Sequence, residues 1–319
     1  MKKVLALVLA LMMALAMLTA ATADEAKKPY IGILAPATTH GWVGGVAYYA
    51  QQAADSLDIK YEFLTSSDAE EMSSQIEQLI SLGVDAIVVW PQFTGVETAA
   101  EKALEKGIKI SNFDMIINVD AKYAEDMYLL TGDNYGMGYE GGRYIAEKLE
   151  GKGKVIALCK PAAGNVNEDR MQGFKDYLEA NCPDIELIAE IASDFTREAG
   201  LNDMNSALTA YSEIDAVFSL DDETSIGALQ AIVESGHTDV KAITGGGGCQ
   251  EYFNMIADPQ YADLGLCSAL YSPAMIQDAI RTGIALLNGE TPDAVVVIPT
   301  TIVSADNVAD YLDPENNVY

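Results

Sequence analysis

The chain has 319 residues, half of them hydrophobic and 21% charged, with 48 acidic side chains against 19 basic ones and a formal net charge of −29 at pH 7. That negative excess repels nucleic acid and anionic membranes and argues against both as partners. Four cysteines without a CxxC pair, and only two histidines, supply no typical zinc site, so neither metal nor cofactor is implied.

Lys2 and Lys3 precede an uncharged apolar run from Val4 to about Leu18, followed by small residues at Ala21 to Ala23. A charged start, a short apolar core and an A-x-A site describe a secretory signal peptide. About 15 apolar residues also fall short of the roughly 20 needed to span a membrane. Residues 1–23 are therefore expected to be removed on export, taking two lysines and no acid, so the net charge goes from −29 to −31. No cysteine follows the small-residue site, so no lipid anchor is expected and the protein should be periplasmic or secreted.

Strand-like and helix-like segments alternate along the remainder. YIGIL (30–34) leads through TTHGWVGG (38–45) to a helix over about 43–56, and KYEFL (60–64) to a helix at about 69–82. DAIVVW (85–90) is followed by a helix at about 95–106 and then KISNF (109–113). These short runs are apolar on both faces, as parallel strands covered by helices require. The plan then repeats. KVIALC (154–159) precedes a helix around RMQGFKDYLEA, and IELIAEI (185–191) one near 198–210. DAVFSL (215–220) precedes a helix near 223–235, and VKAIT (240–244) follows. Even the wording recurs, GVDAIVVW against EIDAVFSL, at spacings of 54 residues (Ile31 to Asp85) and 60 residues (Val155 to Asp215). So long a period predicts two similar α/β domains and not a solenoid. Open α/β sheets bind ligands beyond the carboxyl ends of their strands, so two facing lobes define a cleft. Cys159 reads as a small buried residue in a strand, while a Cys249–Cys267 disulfide stays open.

In SLGVDAIVVWP (81–91), FDM (113–115), GDNYGMGYEGGRYIAEKL (132–149), NEDRMQGF (167–174), FSLDDETSIGAL (218–229) and PTTIVSADNVADYL (299–312), the chain resembles the type I periplasmic binding proteins of the ribose class, which deliver sugars to ABC transporters. The resemblance covers nearly the whole mature chain, and the order and spacing of these motifs make it specific. It implies an α/β fold of two Rossmann-like lobes with parallel-sheet cores, joined by a three-crossing hinge near Gly132–Asp133, Tyr271–Ser272 and Pro299–Thr301. The lobes would be 24–131 plus 272–299 and 132–271 plus 300–319, closing on a ligand between them. It further implies a permease partner, a monomer and no covalent chemistry.

Carried over position by position, the resemblance implies ligand contacts at His40 and Trp42 in the first loop and at Trp90 after the third strand. Asp114 stands as the hydroxyl-binding aspartate, with Met115 where relatives have arginine. Arg170 matches the binding arginine, Phe195 the stacking aromatic, Asp221 a position that is often asparagine, and Tyr271 one that is often an amide. Sugar recognition asks for this mixture, because flat rings cover C–H patches while charged and amide groups satisfy hydroxyls that lose water. One departure is large: where relatives carry an aromatic–aspartate pair, this chain has Gly245 to Gly248 and then CQEY. Either the ligand is larger there or Gln250 or Glu251 reaches in, and ribose itself fits poorly. The expected ligand is a monosaccharide or small polyol such as a deoxyhexose, with pentose, hexose, cyclitol and furanosyl signal molecules open.

Plainer readings stand beside these. Asp114 and Arg170 could form a structural ion pair, and Trp42 and Trp90 could be core. Asn134 reads as a turn or cap residue, and Asp222 and Glu223 as a helix start where carboxylates complement the dipole. GMGYEG (136–141) spells GxGxxG, but DNY separates it from its strand and the next strand ends in Cys159–Lys160. Its glycines therefore read as close helix packing on the sheet and not as a dinucleotide site. There is no GxSxG, P-loop or HExxH motif, and nothing fixes the separation an Asp114–Asp221 glycosidase pair would need. The expectation is a binding protein and not an enzyme. The alternative is a sensory receptor for a sugar-like signal, coupled to a chemoreceptor or kinase.

Overall fold

The computed structural model describes residues 28–37, 41–91, 93–123, 125–291, 293–316 and 319. The expected leader at 1–23 and His40 lie outside the described residues. The first half runs β1 (Tyr30–Pro36), α1 (Gly41–Ser56), β2 (Lys60–Ser66), α2 (Ala69–Leu82), β3 (Ala86–Val89), α3 (Glu97–Glu105), β4 (Lys109–Phe113) and β5 (Met127–Gly132). The second runs α4 (Asn134–Lys148), β6 (Lys152–Cys159), α5 (Asn165–Asn181), β7 (Asp184–Ala192), α6 (Arg197–Ala210), β8 (Ala216–Ser219), α7 (Asp222–Ser235), β9 (Ala242–Gly247), α8 (Gln250–Ala257) and β10 (Leu266–Leu270). Then α9 (Ile276–Leu287) and β11 (Val295–Ile298) rejoin the first lobe, and β12 (Ile302–Ser304) the second.

Each lobe is built on a six-stranded sheet, ordered β11-β5-β4-β3-β1-β2 in one and β12-β10-β9-β8-β6-β7 in the other. The first is parallel throughout; in the second, β12 lies antiparallel against β10 at the edge. The chain passes between sheets three times, between Gly132 and Asn134, between Leu270 and Ile276, and between Ile298 and Ile302.

The continuous apolar strands have a simple cause. Successive side chains point to opposite faces, so Ile31, Ile33 and Val88 join the core under α1 and α9, while Leu34, Ile87 and Val89 join the core under α2 and α3. Fully burying such a side chain contributes about 1.5–3 kcal/mol, and the polar residues the strands do bury, such as Ser111 and Asn112, are hydrogen-bonded. Helix ends follow local chemistry. Asp68 caps α2 by accepting from the Glu71 N–H at 2.8 Å, and Gly83, at φ 71°, ends it in the left-handed region.

The glycine run departs from the sequence reading. Gly245 to Gly247 do not follow the strand but form its end, paired with Ser268 to Leu270 of β10. Space explains their identity. A Cβ on Gly245 would stand 2.3 Å from Asp222 Oδ1, one on Gly246 2.5 Å from Met137 Cε, and one on Gly247 2.1 Å from the Tyr319 hydroxyl. The missing side chains are replaced by groups arriving from elsewhere. All four cysteines are free, Cys249 and Cys267 included.

Candidate functional site

The carboxyl ends of the two sheets meet at a polar and aromatic knot built from loop residues of both lobes. Trp90 follows β3 and is 3% exposed; its indole Nε1 donates to Asp114 Oδ2 at 3.1 Å. Asp114 follows β4 at φ 63°, a left-handed conformation that aspartate adopts more readily than most residues. Its turn is held from beneath by buried Asn112, whose Nδ2 donates to Met115 O at 2.6 Å and whose Oδ1 accepts from Ile117 N at 2.8 Å. The Tyr271 hydroxyl donates to Asp114 Oδ1 and accepts from Gly132 N at 3.2 Å and Asn134 Nδ2 at 3.5 Å. Burial raises the Asp114 carboxyl above the usual carboxylate range, against the Tyr271 hydrogen bond, the Arg170 charge and the Trp90 hydrogen bond. Burial and the charge of Asp114 together keep the Tyr271 phenol protonated, hence a donor.

Arg170 comes from α5 in the other lobe and is 7% exposed. Its Nε donates to Asn134 Oδ1 at 2.9 Å and its Nη1 to Leu220 O at 2.7 Å, and the guanidinium lies 5.1 Å from the centre of the Tyr271 ring. Two of its five N–H donors are thus engaged by protein acceptors among the described residues. Its placement depends on Gly138 in α4, where an added Cβ would stand 1.8 Å from the Arg170 carbonyl oxygen. The GMGYEG glycines therefore serve helix packing, with one refinement. Gly138 admits α5, a neighbouring helix, while Gly141 faces the Phe218 ring of the sheet, 2.8 Å from its own Cβ position. Gly138→Ala should push α4 and α5 apart and cost about 1–3 kcal/mol. A chemical-denaturation midpoint checks it, and an unchanged midpoint would contradict this packing.

The other expected contacts have the following surroundings. The Trp42 ring lies in the first turn of α1, stacked 10° from parallel on Phe113 at 6.1 Å and edge-on to Trp90 at 5.1 Å. Its Nε1 donates to the Tyr271 carbonyl at 2.6 Å, so it ties helix α1 to an interlobe crossing. Phe195 sits half-buried between β7 and α6, with the Lys160 ammonium 4.9 Å from its ring centre; none of its described contacts reaches the knot. Asp221 is the N-cap of α7, its Oδ1 accepting from Thr224 N at 3.0 Å and Thr224 Oγ1 at 3.2 Å. Burial foremost pushes its carboxyl up to about 6.

Two residues carry more than their sequence reading. Asn134 is not the cap of α4. Asp133 is, accepting from Gly136 N at 2.7 Å, which frees Asn134 to orient Arg170 and Tyr271. Two polar residues in a row before a helix were the available signal, since only one of them caps. Asp222 lies in the first turn of α7 but points inward, fully buried, its Oδ2 accepting from Gly248 N (2.8 Å), Cys249 N (2.9 Å) and Ser268 Oγ (2.9 Å). A small cavity of about 10 Å³ adjoins Arg170, lined by Met137, Phe218, Thr244 and Gly245 among others. Among the described residues, no cluster of His, Cys, Asp or Glu is arranged to hold a metal ion, and no helix is long and apolar enough to cross a membrane.

Comparison with known proteins follows the same outline. The model of the periplasmic binding protein domain matches residues 31–291. The xylitol-binding protein of Mycolicibacterium smegmatis is 28% identical over 268 residues, 83% of this chain and 73% of that protein. The galactofuranose-binding protein of Escherichia coli is 26% identical over 297 residues, 90% and 92% of the two chains. Among solved structures, the periplasmic component of an arabinose ABC transporter from Shewanella, bound to L-arabinofuranose, superposes with a TM-score of 0.78 at 24% identity, covering 88% of this chain and 94% of its own. That last likeness concerns the fold.

Proposed function

The chain belongs to the periplasmic binding proteins, with the two-lobed type I fold, and from that premise we propose that it captures one small polyhydroxylated ligand, a monosaccharide or polyol, between its lobes. In this reading it is exported, closes around the ligand as a monomer and hands it to an ABC transporter permease without chemical change. The observation that carries the proposal is the array of Asp114, Tyr271, Asn134 and Arg170, an acceptor, a hydroxyl, an amide and a guanidinium drawn from both lobes onto one point. Such a set offers hydroxyls both donors and acceptors. The relatives named for xylitol and galactofuranose support the ligand class.

Trp42 and Trp90 would supply the apolar walls, and Asp221, Phe195 and His40 stand as further proposed contacts. The cavity beside Arg170, about 10 Å³, has room for no more than about one water molecule, far below the ~300–1,000 Å³ usual for ligand sites. A sugar ring therefore enters with movement about the three crossings, which serve as the hinge. Groups that now bond one another across the lobes would exchange those bonds for ligand hydroxyls.

A thermal-shift screen of pentoses, hexoses, deoxy sugars, polyols and amino acids tests this reading. A true ligand at 100 times its Kd stabilises by about 2.7 kcal/mol and should raise Tm by roughly 5 °C. A response to amino acids with none to sugars or polyols would replace the ligand class.

A further inference from the structure

Tyr319 is buried between the lobes, only 5% exposed, and belongs to none of the motifs that the family resemblance rests on. Its Cβ stands 3.2 Å from the position a Cβ would take on Gly45, in α1 of one lobe. Its hydroxyl oxygen stands 2.1 Å from the corresponding position on Gly247, at the end of β9 in the other. Gly247 ends β9, and Gly45 lies in the second turn of α1, the helix that follows β1. Glycine is needed at Gly247 for two reasons, its φ of 135° and the tyrosine hydroxyl above it.

Two buried polar atoms here have no hydrogen-bond partner among the described residues: the Tyr319 hydroxyl and Asp222 Oδ1. Residues two apart along a strand present the same face. Gly245, under Asp222 Oδ1, and Gly247, under the Tyr319 hydroxyl, are such a pair. The bare backbone of β9 thus carries a carboxylate oxygen at one position and a phenol two residues on. Natural interiors pair nearly all their buried polar groups, so two orphans on one strand face at an interlobe surface point to a partner from outside the chain. Burial first, and then the charges of Asp222 and Asp221, hold the Tyr319 phenol in its protonated, donating form.

We propose that Tyr319 and Asp222 form a ligand subsite over the glycines of β9, in which the Tyr319 hydroxyl and Asp222 Oδ1 bond hydroxyls of the bound sugar or polyol. The proposal rests on the capture reading above and deepens it. Tyr319 is then a specificity-determining residue: its ring arrives from the distant segment after β12 and supplies the aromatic surface that Gly245 to Gly248 lack. That segment is held for the purpose. Asn316 Nδ2 bonds the Tyr49 hydroxyl of α1 at 2.7 Å and the Tyr319 carbonyl at 2.9 Å, while Gln250 of α8 bonds Tyr311 O and Asp313 N at 3.0 and 2.8 Å.

The test titrates the full chain calorimetrically with whichever of xylitol, L-arabinose, D-ribose and L-fucose gives the largest thermal shift. Tyr319→Phe keeps the ring and removes one hydroxyl; affinity should fall about tenfold with the ligand-free Tm unchanged. With monodeoxy forms of the same ligand, one should bind wild type and Tyr319→Phe equally, because the partner hydroxyl is already gone. Unchanged or tighter binding by Tyr319→Phe and Tyr319→Ala would overturn the subsite and make the ring a packing or plugging group, leaving the capture reading intact. If wild type binds nothing in the panel or in the wider screen, the capture reading fails and this proposal with it.

Discussion

Arg170→Ala is expected to abolish measurable ligand capture, with affinity falling at least about 100-fold. Hydrogen bonds to a charged group contribute about 1.5–3 kcal/mol each, and the charge of the guanidinium acts on both Asp114 and Asp221. Its removal strands the Asn134 side-chain oxygen and the Leu220 carbonyl, and leaves two buried carboxyls with less reason to ionise. Asp114→Ala should act in the same direction from the opposite lobe, freeing the Tyr271 hydroxyl and the Trp90 indole. The decisive measurement is calorimetric titration, with circular dichroism showing that each variant folds. Wild-type affinity in both would sink the site and leave an interlobe structural network in its place. Arg170→Lys should not rescue, since a single ammonium cannot reproduce the guanidinium fork that bonds Asn134 and Leu220 together.

The second large effect lies at Asp222 and concerns stability against pH. Burial above all, with the nearby charge of Asp221, pushes its carboxyl up to about 7 even though the Cys249 and Gly248 amides and Ser268 hydrogen-bond it. An unfolded aspartate releases its proton near pH 4. Between about 4 and 7 the native state therefore binds the extra proton, and stability falls as pH rises through that window before levelling off above it. Asp221, raised to about 6, adds to the same trend. At one pH unit per 1.36 kcal/mol, Asp222 sets a ceiling of about 4 kcal/mol on the difference. Asp222→Asn keeps an oxygen for the three donors and removes the titration. Its unfolding free energy should vary less between pH 5 and 8 than that of wild type, and should match or exceed wild type at pH 8. A wild-type profile that is flat across the range, or that rises with pH, would contradict the assignment.

Much of the architecture was legible because it is written locally. Helix α2 was bounded at 69–82 by the sequence pattern and spans those residues, since Asp68 and Gly83 are adjacent in sequence to what they terminate. The inner strands read as apolar runs because they are covered on both faces, whereas the edge strands β2, β7 and β11 leave some side chains exposed. The duplicated plan followed from that pattern. β12, antiparallel at its edge, was not legible in this way, because its direction depends on where the chain re-enters the second lobe.

The site was legible in part. The chain positions of Asp114, Arg170 and Tyr271 followed from family likeness, and the structure brings the three together. Asn134 read as a turn or cap residue, whereas Asp133 caps the helix, because which of two neighbouring polar residues does so is settled by backbone geometry at the turn. Phe195 was expected at the ligand; it lies beside Lys160 and packs against the core that holds Phe174 and Leu220, and its contact with a ligand stands as a proposal.

What the sequence determined by itself is whatever depends on neighbours within a few turns of chain: strand and helix order, two similar lobes, and the position of loops at strand ends. The tertiary structure decided what the glycines of β9 are for. A glycine run says only that side chains are missing. Tyr319 lies 72 residues beyond Gly247, and nothing in local pattern links the two. Only the packing of the segment after β12 against α1 and α8 brings that ring over a strand that had made room for it.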